Sequence, residues 1–61
     1  IAALDRLEAE SPECALVARM RLLSGFSIDT TAALLGIAAR TVSKRWNFAR
    51  AWLRRAIAES E

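Results

Sequence analysis

The run Ser27-Ile28-Asp29-Thr30-Thr31-Ala32-Ala33-Leu34-Leu35-Gly36-Ile37-Ala38-Ala39-Arg40-Thr41-Val42 contains, within sixteen residues, a helix start, a helix stop and a second start. Ser27 offers a side-chain oxygen to the free N–H groups of a helix beginning at Ile28, and Asp29 falls in the first turn, where the helix dipole favours an acid. Gly36 accepts a left-handed backbone and ends that helix after barely two turns, too short to persist without neighbours. Ile37 and Ala38 form a tight turn. A second helix starts near Ala39 and continues to about Ala58 with no Gly or Pro to interrupt it. Ala32 is small enough to let the next helix cross closely, and Ile37 and Val42 supply apolar plugs on either side of the turn. Two helices joined by a short Gly-containing turn, the second longer and basic, describe a helix-turn-helix unit.

Upstream, Ser11-Pro12-Glu13 is another start signal: a capping hydroxyl, a proline suited to the first helical position and an acid in the first turn. The helix it opens spans residues 12–24 and is ended by Gly25. Leu16, Val17, Met20 and Leu23 recur along it at helical spacing and are expected to form its core stripe. Ile1, Leu4 and Leu7, separated by Asp5, Arg6 and Glu8, predict a short first helix over residues 1–9. The expected fold is all-α: a four-helix compact domain containing a helix-turn-helix, winged-helix-like without the wing. Residues 1–61 form one domain with no repeat, low-complexity segment or internal linker. The chain begins at Ile1 rather than Met, so a piece of a longer protein is expected.

Composition agrees and narrows the function. Apolar residues make up 54% of the chain, too many for a disordered tail, and Ala and Leu outnumber the β-branched residues that a barrel would need. One Cys and no His cannot build a zinc site, a disulfide framework or a Cys–His nucleophile pair. Cys14, among apolar neighbours, reads as a small buried hydrophobe. No catalytic residue, metal ligand or cofactor site is expected, and the domain is read as non-enzymatic. The longest uninterrupted apolar runs are four or five residues, against the ~20 that cross a bilayer, so no membrane partner is expected.

Charge is unevenly divided. Residues 1–39 carry three basic and five acidic groups, and residues 40–61 carry six basic and two acidic, so the overall +2 is −2 followed by +4. Between Arg40 and Arg55 there is no acid at all. Such asymmetry suits an element set against a polyanion, and equally a solvated helix whose cations lie toward its C-terminus.

Projecting the last helix at about 100° per residue separates the two sides. Val42, Trp46, Ala49, Leu53 and Ala56 share one direction and are the predicted core face. Opposite lie Arg40, Lys44, Asn47 and Ala51, flanked by Ser43, Arg54 and Arg55. That side holds guanidinium, ammonium, hydroxyl and carboxamide groups without a carboxylate, which can reach phosphates and base edges in a major groove about 12 Å wide. Phe48 and Trp52 fall at the border, where they either stack and seal the core edge, or place Phe48 on a thymine methyl and Trp52 on a protein partner. Arg45 and Arg50, nearer the core side, are expected to anchor phosphates or to pair with acids of the second helix.

Gly25-Phe26-Ser27-Ile28, Ala32-Ala33-Leu34-Leu35-Gly36-Ile37, Thr41-Val42 and Phe48-Ala49-Arg50-Ala51-Trp52-Leu53 together resemble region 4 of the extracytoplasmic-function (ECF) sigma factors of bacterial RNA polymerase. The resemblance covers residues 12–57, and the run Trp46-x-Phe48-Ala49-Arg50-Ala51-Trp52-Leu53 is similar to one ECF subgroup. It implies a cytoplasmic domain that recognises the −35 element of double-stranded promoter DNA in transcription initiation. Implied partners are the β-subunit flap of RNA polymerase core and an anti-sigma factor covering the same surfaces, without an obligate homo-oligomer. Carried over by position, base contacts fall on Ser43, Lys44, Asn47 and Phe48, and DNA backbone contacts on Ser27, Arg40, Thr41 and Arg45. Two departures stand out. Ala38-Ala39 replaces the family's usual Ser-Pro, removing a side-chain cap worth about 1 kcal/mol. Ser43 occupies the often basic position after Thr-Val, so base preference is expected to differ from the family's usual one.

Two other readings share some of these residues. A response-regulator-type helix-turn-helix activator also shows Ala-x-x-Leu-Gly-Ile before Thr-Val, but its last helix stops sooner and a dimerising helix follows. A helical module that binds only protein would leave the basic face solvated.

Overall fold

The computed structural model describes residues 2–60, without the side chain of Ser60. Four helices follow in order: α1 (Ala2–Glu10), α2 (Pro12–Leu22), α3 (Ile28–Leu35) and α4 (Ala39–Ser60). The described residues contain no strand, in keeping with the expected all-α domain and its helix-turn-helix. The predicted boundaries hold within two residues. Ile1, expected to begin the first helix, lies outside the described residues.

Each junction is set by its own chemistry. Only Ser11 separates α1 from α2. Its N–H donates to the Leu7 carbonyl (2.7 Å), closing α1, while its extended backbone and Oγ, which accepts from the Cys14 N–H (3.4 Å), open α2. After α2, the left-handed backbone of Gly25 (φ +71°) reverses the chain so that the Phe26 N–H reaches the Met20 carbonyl (3.0 Å). Ser27 caps α3 as expected, its Oγ accepting from the Thr30 N–H (3.1 Å). Gly36, left-handed at φ +69°, ends α3, and the Ile37 N–H beyond it donates to the Ala32 carbonyl (3.1 Å). At the start of α4 the Ala38 carbonyl accepts from Thr41 (3.0 Å) and Val42 (3.2 Å), and Ala38 has no side-chain oxygen to serve the remaining N–H groups.

Two apolar clusters hold the helices. One joins Leu4 and Leu7 of α1 to Ala15 and Ala18 of α2 and to Ala49 and Leu53 of α4, with Cys14, Trp46 and Trp52 packed against it. The other joins Val17, Ala32 and Val42, with Ile28, Leu35, Ile37 and Trp46 around them. Trp46 belongs to both. The predicted core face of α4 is observed: Val42, Ala49, Leu53 and Ala56 are buried and Trp46 is half-buried.

On α2 the prediction fails. Of the expected stripe only Val17 is buried, while Leu16 and Leu23 are 46% and 63% exposed. The buried arc runs instead through Ala15, Val17 and Ala18, with Cys14, expected to be buried, only half-buried at its edge. Apolar residues occur all round α2, so periodicity does not select a side. The alanines decide it, because α1 and α4 both press on the side where small side chains admit close approach.

Candidate nucleic-acid interface

α4 has 22 residues, about 33 Å at the helical rise, and its burial divides as the projection requires. Arg40, Lys44, Asn47, Ala51, Arg54 and Arg55 are exposed, and Ser43 and Thr41 are half-buried beside them. None of Arg40, Lys44, Arg54 and Arg55 pairs with a carboxylate among the described residues. Among the described residues this cationic side is therefore not neutralised; the acids lie on α1, α2, the first turn of α3 and, at Glu59, the far end of α4.

The other cations are engaged. Arg45 Nη2 lies 3.3 Å from Glu13 Oε2 of α2, so the expected pairing with an acid of the second helix is present in the domain. Arg50 turns along its own helix instead, Nη2 donating to Asn47 Oδ1 (3.3 Å). Asn47 thereby gains a brace and keeps its amide N–H groups for an acceptor. Arg19 bridges Asp5 (3.0 Å) and Glu8 (2.9 Å) of α1. Its hydrogen bond to Asp5, then that to Glu8, raise its pKa further, so it stays cationic at any ordinary pH.

The border aromatics part company. Trp52 packs against the α1-side cluster with the Arg6 guanidinium carbon 5.7 Å from its ring centroid. Phe48 stands 51% exposed at the edge of the cationic side. Trp52 thus does the core-sealing alone, because α1 lies over it and not over Phe48.

Of the sequence-predicted positions, Ser43, Lys44, Asn47 and Phe48, with Arg40 and Thr41, therefore occupy one side of the first half of α4. Ser27 stands apart at the N-terminus of α3, exposed, its hydroxyl donating to Thr30 Oγ1 (3.0 Å). Two residues escaped the sequence reading. Thr30 is exposed beside Ser27 and adds a second hydroxyl there. Arg21, which the sequence presents as one more helical cation, is half-buried with its Nε out of solvent, donating from Nη1 to the Phe26 carbonyl (2.8 Å) and lying over Trp46 with Cζ 5.2 Å from the ring centroid. It follows Cys14, Val17 and Ala18 by seven, four and three residues, but with apolar residues all round α2 that spacing gives no signal of its own.

No group of three or more His, Cys, Asp or Glu among the described residues is placed to hold a metal ion. Neither is any helix there long and apolar enough to cross a membrane. Comparison with curated proteins and with solved structures gives no match. The family model for ECF sigma factors, by contrast, matches residues 2–59, through all four helices. A helix-turn-helix with an unneutralised cationic helix side, matched along nearly its whole length, assigns the chain to the ECF sigma factor family, whose members are regulators acting in transcription initiation.

Proposed function

We propose that this domain is region 4 of its sigma factor and reads the −35 promoter element, with the outward side of the first half of α4 in the DNA major groove. The observation that carries this reading is the set Arg40, Lys44 and Asn47: exposed, paired with no carboxylate among the described residues, and mounted on the helix that follows the turn. Lys44 suits guanine acceptors, Asn47 adenine and Ser43 either, while the exposed ring of Phe48 suits a thymine methyl or a sugar. Arg40 and Thr41 lie at the uncapped start of α4, where backbone N–H groups and the helix dipole also favour a phosphate. Ser27 takes a phosphate at the start of α3. Arg45 does so by exchanging Glu13, a trade that exposed ion pairs permit at little cost.

The domain performs no reaction; it positions polymerase in the bacterial cytoplasm, where the promoters are. Leu16, Leu22, Leu23 and Leu34 remain in solvent on α2 and α3, and we assign this apolar surface to protein partners, the polymerase β flap or an anti-sigma factor. A net charge of +2 supplies few phosphate contacts. Affinity therefore comes largely from linkage to polymerase and to a second DNA-binding domain, which raises the effective concentration of this one.

Selection of binding sites from random duplexes, using wild type, Lys44→Ala and Asn47→Ala, tests the reading. Each variant is expected to lose preference at its own base pair, at a cost of about 1–3 kcal/mol on the best site. A Lys44→Ala protein that retained the wild-type consensus would refute the base-reading role.

A further inference from the structure

We infer that Arg21 is the positioning residue that sets the orientation of α4 against the helix-turn-helix, and through it the aim of Lys44 and Asn47. The functional half of this inference rests on the DNA reading above. One planar guanidinium joins three elements. Its stem leaves α2 beside the buried Val17 and Ala18, its Nη1 donates to the carbonyl of Phe26 between left-handed Gly25 and the α3 cap Ser27, and its Cζ lies over the ring of Trp46 of α4. Its Nε is buried and has no acceptor among the described residues.

No carboxylate among the described residues pairs with this cation. A methionine or leucine would fill the same space without desolvating a charge, so packing alone does not account for an arginine here. What the guanidinium adds is direction. A hydrogen bond fixes it to the turn, and ring contact fixes it to Trp46, the one side chain shared by both apolar clusters. Lys44 and Asn47 leave α4 within two residues of Trp46, on the far side. Any roll or tilt of the helix at the indole moves them together.

The molecule contains its own control. Arg6 lies over Trp52 at 5.7 Å in the second half of α4, but it is exposed and holds no turn. Arg21→Met, Arg21→Lys and Arg6→Met in the 61-residue chain separate the possibilities through two readouts. Amide residual dipolar couplings in free protein report the orientation of α4 relative to α2 and α3. Affinity ratios between the selected duplex and its single-base variants report discrimination.

Both Arg21 variants are expected to shift the α4 couplings and to lower the ratio at least about five-fold, the lower bound for one lost base contact. Their dependence on salt should stay that of wild type, since no phosphate contact is removed. Arg6→Met should leave both readouts unchanged. Lysine keeps charge and stem without the planar fork, so it should not rescue, and it serves as the test if Arg21→Met fails to fold. Unchanged couplings would overturn the inference. So would full rescue by lysine, or an intact ratio with a salt slope reduced by about 1, the mark of a phosphate contact. If wild type itself fails to discriminate between duplexes, the DNA reading falls, and the couplings alone decide the role of Arg21.

Discussion

Val42, near the start of α4, rests on Val17 and Ala32, whereas Ala49 and Leu53 further along rest on Leu4 and Leu7 of α1 together with Ala15 and Ala18 of α2. The first support is small and is completed by turn chemistry: two left-handed glycines, a Ser27 cap and the Arg21 hydrogen bond. The second is leucine against alanine, with ion pairs from Arg19 binding α1 to α2 at its edge. One helix therefore has an anchored half and an aimed half. The residues proposed to read DNA all project from the aimed half, where orientation depends on a few directional contacts more than on buried area.

This contrast is easiest to break at the anchor. Leu7→Ala deletes a fully buried side chain and is expected to cost about 2–5 kcal/mol. A domain of this size has only about 3–5 kcal/mol in all. Thermal or urea unfolding should therefore find Leu7→Ala largely unfolded at 25 °C. A variant still fully folded there would mean that α1 is dispensable and that the aimed half stands by itself.

Smaller changes sharpen the other side. Ala38→Ser restores a side-chain acceptor at the start of α4 and should stabilise by about 1 kcal/mol, read as a raised melting temperature. No gain would mean that the first N–H groups of α4 are already satisfied by solvent. Thr31 is fully buried with its Oγ1 unpartnered among the described residues. Thr31→Val, nearly the same shape without the hydroxyl, should be neutral or stabilising by up to about 1 kcal/mol. Destabilisation beyond that would show that the hydroxyl has a partner, and urea midpoints resolve the sign.

The anchored and aimed halves were not equally legible. α4 is amphipathic over six turns, and its projection identified both sides, because a long helix with acids excluded from one side leaves little ambiguity. The caps at Ser11 and Ser27 and the stop at Gly36 were also readable, since each rests on local backbone chemistry. α2 was not. Its apolar residues surround it, and which side is buried depends on the alanines that α1 and α4 can approach, a tertiary choice that spacing does not encode. The same choice carries Arg21 inward and leaves Leu16 and Leu23 in solvent. Phe48 and Trp52, equivalent by sequence position at the border, differ only because α1 covers one of them.

The central claim is that the outward side of the first half of α4 is set against duplex DNA phosphates and bases. Its most direct test is the dependence of duplex binding on salt, measured for wild type and Arg40→Ala. The logarithm of affinity should fall linearly with the logarithm of salt concentration for wild type, and Arg40→Ala should bind more weakly to all sequences with a slope smaller by about 1. Wild-type affinity indifferent to salt, or an Arg40→Ala slope equal to that of wild type, would contradict it.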